Sequence, residues 1–353
     1  MVVDDSAVIR GVLTRTLEGD PDITVVHSVG NGQLAIAAIQ RSPVDIVVLD
    51  IEMPVMDGLT ALPKILAVAP GARVLMASTL TQKNADISLR AMQSGAADYV
   101  PKPSSTQISG ASDFKRELLA KVKALGGRRR AGAARTAAQS PSPGRIATQP
   151  AGPIALRQPS STVPQVIAIG SSTGGPQALF KVIAELPTHL RQPIFITQHM
   201  PPTFTTILAE HIGKIAKRPV AEARDGEAVQ AGRIYVAPGD FHMVIDGNAQ
   251  QRTVRLNKDA PENFCRPSVD PMFRSIAKAY GPAVLAVVLT GMGSDGARGG
   301  QSIVAAGGTV IAQDEGTSVV WGMPGAAAAA GICSAVLPLP DIASYVSRLA
   351  LRG

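Results

Sequence analysis

Short apolar runs that end in a carboxylate, a serine or a histidine recur along the chain, and most are followed by helical periodicity. Unbroken apolar runs read as strands buried on both faces, and strands alternating with helices build a parallel, doubly wound sheet. In the first part, the opening Met1-Val2-Val3 run and residues 23–26, 45–50, 74–78 and 97–100 supply five such strands. Helical patterns fall between them, as at Val8, Ile9, Val12 and Leu13, and close the set over residues 112–125. The second part repeats the theme with strand candidates at residues 166–169, 194–197, 234–237, 283–290, 309–312 and 335–337. Residues 243–246 and 253–256, joined through Gly247-Asn248, read as a β-hairpin beside that mainly parallel sheet.

The two parts are separated by a tract of another character. Residues 126–163 are Ala, Gly, Pro, Ser, Gln and Arg without hydrophobic periodicity, the composition of a linker. The expected division is therefore residues 1–125, linker 126–163 and residues 164–353. The formal net charge is +7, but the linker alone holds six arginines and no acid, which leaves the folded parts near neutral. That distribution argues against a basic face for reading nucleic acid. The triple Arg128-Arg129-Arg130 reads as a solvated helix-end cluster or, less favoured, as a docking point for an acidic surface. Cys265 and Cys333 stand in unrelated contexts without metal-ligand spacing, as in a reducing compartment, and neither reads as a staple or a nucleophile. With no apolar run long enough to span a bilayer and no charged leader, the chain reads as cytoplasmic and not membrane-inserted.

Ligands of doubly wound sheets sit at the carboxyl ends of the strands. In the first part those ends carry Asp4 and Asp5, Asp50, Ser78 and Lys102. Three carboxylates on one rim repel unless a hard cation sits among them, and Mg²⁺ with its preference for oxygen donors suits them. A lysine and a hydroxyl opposite suit an anionic group on one carboxylate, such as a phosphoryl. Asp50-x-x-Met53-Pro54-x-x-Asp57-Gly58, with Asp4-Asp5 before it and Lys102-Pro103 after it, resembles the receiver domain of two-component response regulators over about residues 1–125. The resemblance implies phosphorylation at Asp50 and Mg²⁺ held by Asp4, Asp5, Asp50 and the Glu52 carbonyl. It further implies phosphoryl contacts from Ser78 and Lys102, and Tyr99 at the switch position. Receivers carry several more residues ahead of the first acids, so strand one looks shortened, as a misassigned start or a trimmed chain would leave it, with a weakened receiver as the alternative reading.

In the second part Gly170-Ser171-Ser172-Thr173-Gly174-Gly175 joins a strand to a helix. A turn of this kind either exposes a serine nucleophile or cradles a phosphate, and the hexapeptide leaves both open. Candidate partners follow other strands: His199 after residues 193–198, and Asp295 in the loop after residues 283–290, with His242 the next-best histidine. A serine hydroxyl needs an imidazole to take its proton, a carboxylate to fix that imidazole, and N–H donors for the oxyanion. Thr173, Met292 and Gly293 are placed to give the last. The order Ser, His, Asp departs from that of the α/β-hydrolases.

Five further segments settle the resemblance: Thr197-Gln198-His199-Met200-Pro201-Pro202, Ala237-Pro238-Gly239-Asp240, Arg266-Pro267-Ser268-Val269-Asp270, residues 289–296 and Gly322-Met323-Pro324. With the serine turn and the receiver pattern, they resemble the chemotaxis protein-glutamate methylesterase (CheB) family over all but the linker. The resemblance implies a Ser172, His199 and Asp295 triad that hydrolyses γ-glutamyl methyl esters on chemoreceptors, releasing methanol without a metal, and deamidates receptor glutamines. It implies a CheA-type histidine kinase as phosphate donor, and an unphosphorylated receiver that lies over the crevice and restrains it. Residues 266–270 and 322–324 would line the site. Rival readings are a DNA-binding response regulator, a glycine-turn module that docks or binds nucleotide without chemistry, and action on a methylated target outside chemotaxis.

Overall fold

The computed structural model describes residues 1–79, 81–102, 110–137, 154–248 and 250–352, with the side chains of 110–113 and 128–137 outside the description. Pro103 of the receiver pattern therefore lies outside the described residues. The chain separates into two compact units, residues 1–150 and 151–353.

The first unit is a five-stranded parallel sheet in the order β2-β1-β3-β4-β5. Its strands are β1 (Val2–Val3), β2 (Ser28–Val29), β3 (Ile46–Asp50), β4 (Arg73–Ser78) and β5 (Asp98–Pro101). Helices α1 (Ala7–Glu18), α2 (Gly32–Arg41), α3 (Gly58–Val68), α4 (Gln82–Gln93) and α5 (Gly110–Ala137) alternate with them. Caps fix the helix starts: Ser6, Asn31, Asp57 and Thr81 each accept the N–H of the residue three positions on. Asp57 of the sequence motif is thus a cap, and Gly58 follows because a β-carbon there would strike the Asp50 carbonyl.

Two elements differ from expectation. The second strand is Ser28–Val29, and residues 23–26 are irregular. Parallel register puts Val2 beside Ser28, so residues 23–26 lie beside no part of β1. A cavity of about 700 Å³ lies there, lined by Met1, Ile23, Val25, Val44, Ile46 and Val122 among others. Helix α5 does not stop near Leu125 but runs on through Gly126-Gly127 to Ala137, a stretch whose Ala and Arg are strong helix formers and whose glycines are not. The far end of the tract is also fixed. Arg157 donates its N–H to the Cys333 carbonyl and Ser160 to Thr309 Oγ1, tying this stretch to the second unit.

The second unit is built on seven parallel strands in the order β14-β13-β12-β6-β7-β9-β8. They are β6 (Val166–Ser171), β7 (Ile194–Gln198), β8 (Val220–Glu222), β9 (Ile234–Val236), β12 (Val284–Val288), β13 (Thr309–Gln313) and β14 (Cys333–Leu337). Strands β6, β7 and β12 are buried throughout, as their unbroken apolar runs require. Burial of each large side chain there contributes roughly 1.5–3 kcal/mol. The short edge strand β8, with its half-exposed residues, carries no apolar run to announce it. The hairpin β10 (His242–Gly247) and β11 (Arg252–Asn257) forms as expected and packs on α8 (Val269–Tyr280). Helices α6 (Gly175–Glu185), α7 (Pro202–Ala216), α9 (Ala297–Ala305), α10 (Met323–Ala329) and α11 (Leu339–Ala350) complete the unit. Among the described residues no helix is long and apolar enough to cross a membrane.

Candidate active site

Strand β6 pairs with β12 on one side and β7 on the other. Ser172 follows β6, His199 follows β7 and Asp295 lies in the loop after β12, so three neighbouring strands deliver the three residues to one rim. The Ser172 backbone is tied to both neighbours: its N–H donates to the Thr290 carbonyl at 3.0 Å, and its carbonyl accepts from Gln198 Nε2 at 3.0 Å. The N-terminus of α6 begins three residues on, where unpaired N–H groups favour negative charge. Gly291 lies against the serine. A β-carbon there would sit 2.8 Å from Ser172 Cβ and would strike Met323 Sδ.

His199 Nε2 and Asp295 Oδ2 are 2.7 Å apart. The carboxylate is buried and heavily solvated by the protein. Oδ2 accepts the Ser268 hydroxyl at 2.8 Å and the Val269 N–H at 2.6 Å, while Oδ1 accepts the Asp270 N–H and Asn263 Nδ2 at 2.9 Å each. Helix α8 thus points its N-terminus at Asp295. Burial pushes the Asp295 carboxyl up, but His199 and these donors overcome it and hold it at about 2. Asp270, whose Oδ1 accepts the N–H groups of Gly296 and Gly299, is raised by burial and by the adjacent Asp295 charge. Burial disfavours the charge on His199, yet the Cys265 and Asp295 side chains against the ring outweigh it and lift the imidazole to about 10.

His242, the alternative histidine, serves another purpose. Its Nδ1 accepts the Ser268 N–H at 3.2 Å, leaving Nε2 to donate to the Ala260 carbonyl at 3.2 Å. It fixes the loop that carries Ser268. Asn263, Gln198 and Cys265 carry no expected role from sequence, and Ser268 only that of lining the site, though Gln198 also falls inside a motif. Their roles come from loops that meet only in the folded unit. Thr173 is buried, with its carbonyl accepting from Thr290 Oγ1 at 2.9 Å. Gly322 and Met323 donate their N–H groups to the Gly291 carbonyl, which fixes the loop of Met292 and Gly293.

In the first unit, Asp4, Asp5 and Asp50 bring oxygen atoms within 4.8 Å of one another. Lys102 Nζ lies 2.6 Å from both Asp4 Oδ2 and Asp50 Oδ1. This set of hard oxygen donors fits Mg²⁺. Burial raises the Asp50 carboxyl above its ordinary value, with Lys102 opposing. Ser78 is buried at the same rim, its hydroxyl on the Thr79 carbonyl at 3.1 Å. The Glu52 side chain points away to an exposed pair with Lys83, which leaves its backbone carbonyl as the group it could offer a cation. Tyr99 is buried, its ring 4.9 Å from Lys121 Nζ.

Residues 167–346 match the family model for CheB methylesterase and residues 1–109 that for the response regulator receiver domain. The chain is 61% identical to protein-glutamate methylesterase/protein-glutamine glutaminase 1 of Paramagnetospirillum magneticum, over 100% of this chain and 96% of that one. The protein of the same name from Azospirillum brasilense is 60% identical, over 100% of this chain and 93% of its own. Among solved structures, the Thermotoga maritima CheB methylesterase catalytic domain is 40% identical with a TM-score of 0.52, matching 53% of this chain and all of that one. With a receiver ahead of its hydrolase unit, the chain belongs to the CheB methylesterase family.

Proposed function

We propose that this chain is a phosphorylation-activated protein-glutamate methylesterase acting on the cytoplasmic helices of chemoreceptors, and a deamidase of receptor glutamines. The observation that carries it is the 2.7 Å contact of His199 with a buried Asp295, on strand ends either side of the Ser172 strand. Because Asp295 occupies Nε2, Nδ1 is the nitrogen that takes the Ser172 proton as Oγ adds to the ester carbonyl. This inverts the ring of the chymotrypsin-type triad, where Nδ1 faces the carboxylate. The oxyanion is received by backbone N–H groups of Thr173, Met292 and Gly293 at the α6 end of the crevice. Collapse of the intermediate breaks the C–O bond, His199 returns its proton to the departing methoxide, and methanol leaves. Water, deprotonated by the same imidazole, then cleaves the acyl-serine to free serine and a glutamate carboxylate. A glutamine side chain follows the same course with ammonia as the leaving group.

The receiver supplies regulation. Asp50 accepts a phosphoryl group from a CheA-type histidine kinase, with Ser78 and Lys102 contacting the transferred group and Tyr99 changing rotamer. Asp4, Asp5, Asp50 and the Glu52 carbonyl would hold Mg²⁺, which would supply positive charge against that of the carboxylates and the phosphoryl group. The unphosphorylated receiver restrains the hydrolase, and the whole operates in the cytoplasm without nucleic acid. Methanol release from a methylated chemoreceptor tests the chemistry. Ser172→Ala should lose about 10⁴-fold or more in kcat, whereas a docking module would keep its function.

A further inference from the structure

Glu262 and Cys265 exchange both backbone hydrogen bonds, at 3.2 and 2.9 Å, and so close a two-residue turn with Asn263 and Phe264 at its tip. Both tip residues are left-handed, with φ of 52° and 63°. A turn of this kind favours Asn followed by Gly. Asn263 fits, and its amide bridges Asp270 Oδ2 and Asp295 Oδ1. Phe264 does not fit. A bulky side chain is unfavourable in left-handed backbone, and the residue is 93% exposed to water. The fold gains nothing from this residue and carries both penalties.

Its position supplies a reason. Of its two neighbours, Asn263 hydrogen-bonds Asp295 and Cys265 lies against His199. The turn is also braced on both flanks. Arg274 pairs with Glu262, and Arg266 is held by Asp240 and by the carbonyls of Lys258 and Asp259. The ring is therefore held out on a fixed support beside the catalytic pair. Rigid aromatic groups on preorganised loops are the usual anchors of protein recognition, since little freedom is lost when they are covered.

We propose that Phe264 is a docking anchor for the protein substrate, one that selects a helix-borne ester over a free one. With a glutamyl ester at Ser172, the ring packs on apolar side chains three or four positions away along the substrate helix, on the same face. The assignment rests on the esterase reading above. The strained, exposed ring is kept for the partner, and small esters do not reach it.

The test compares the full-length chain with Phe264→Gly and Phe264→Tyr on two probes. One is a methylated cytoplasmic fragment of a chemoreceptor, and the other is N-acetylglutamate γ-methyl ester with its α-carboxyl amidated. For Phe264→Gly the ratio of kcat/KM on the fragment to that on the small ester should fall about tenfold, mainly through KM. Phe264→Tyr should restore it, and the melting temperature of Phe264→Gly should not fall. An unchanged ratio overturns the proposal, as does parallel loss on both probes with a lower melting temperature. Increased small-ester hydrolysis by the unphosphorylated Phe264→Gly chain also overturns it, since the ring would then serve regulation. A wild-type chain inactive on both probes would sink the esterase reading first and this proposal with it.

Discussion

His199 has one nitrogen on Asp295 and a sulfur against its ring, and both neighbours favour the imidazolium. A base lifted to about 10 is protonated at neutral pH, so in the proposed mechanism only its minor neutral fraction can take the Ser172 proton. The sign follows directly. kcat/KM should climb with pH, about tenfold per unit, through the neutral range and level off on the alkaline side. Removing the sulfur takes away one neighbour that favours the cation, so Cys265→Ser should move this limb to lower pH. A pH profile of methanol release by both chains checks it, and superimposable limbs would show that the sulfur does not set the histidine. The placing of Ser172, His199 and Asp295 on one rim was legible in sequence because each closes a strand or lies in its following loop. Cys265 was not, since nothing in its spacing places it beside a histidine 66 positions earlier in the numbering.

At the scale of elements, the nucleophile turn and the loop after β12 are packed against each other through Gly291. Its backbone stands where a side chain would push both Ser172 and Met323. Gly291→Ala should destabilise the second unit by roughly 1–3 kcal/mol, as overpacking does, and should lower kcat beyond what the remaining folded fraction accounts for. Thermal melting alongside turnover separates these effects. An alanine chain with wild-type kcat would show that the loop yields without moving the serine. The buried strands were readable because burial on both faces demands unbroken apolar runs, as in residues 284–288 and 166–169. Elements decided by neighbours were not. Residues 23–26 look like a strand, but the ladder on β1 begins at Ser28. Edge strand β8 holds three half-exposed residues, and α5 continues through a tract whose composition suggested a linker.

Across the whole molecule, a rim of carboxylates in one unit is proposed to govern a serine in the other. Asp50→Asn keeps the shape of that rim and removes the proposed phosphoryl acceptor. A small-molecule phosphoryl donor with Mg²⁺ should raise methanol release by the wild-type chain and leave the variant at its unphosphorylated rate. An equal response in both would place activation elsewhere. The order of the second sheet carries a further consequence. Val166 pairs with Val284, so the central strand waits for a partner encoded far downstream. Joins of such long sequence separation close late and slowly. A chain still leaving the ribosome can set Ser172 and His199 at the ends of neighbouring strands, but Asp295, which hydrogen-bonds the histidine, has yet to be synthesised. Under the proposed mechanism the nascent chain is thus its own precursor, unable to attack an ester until the last third has folded back beside what is already built.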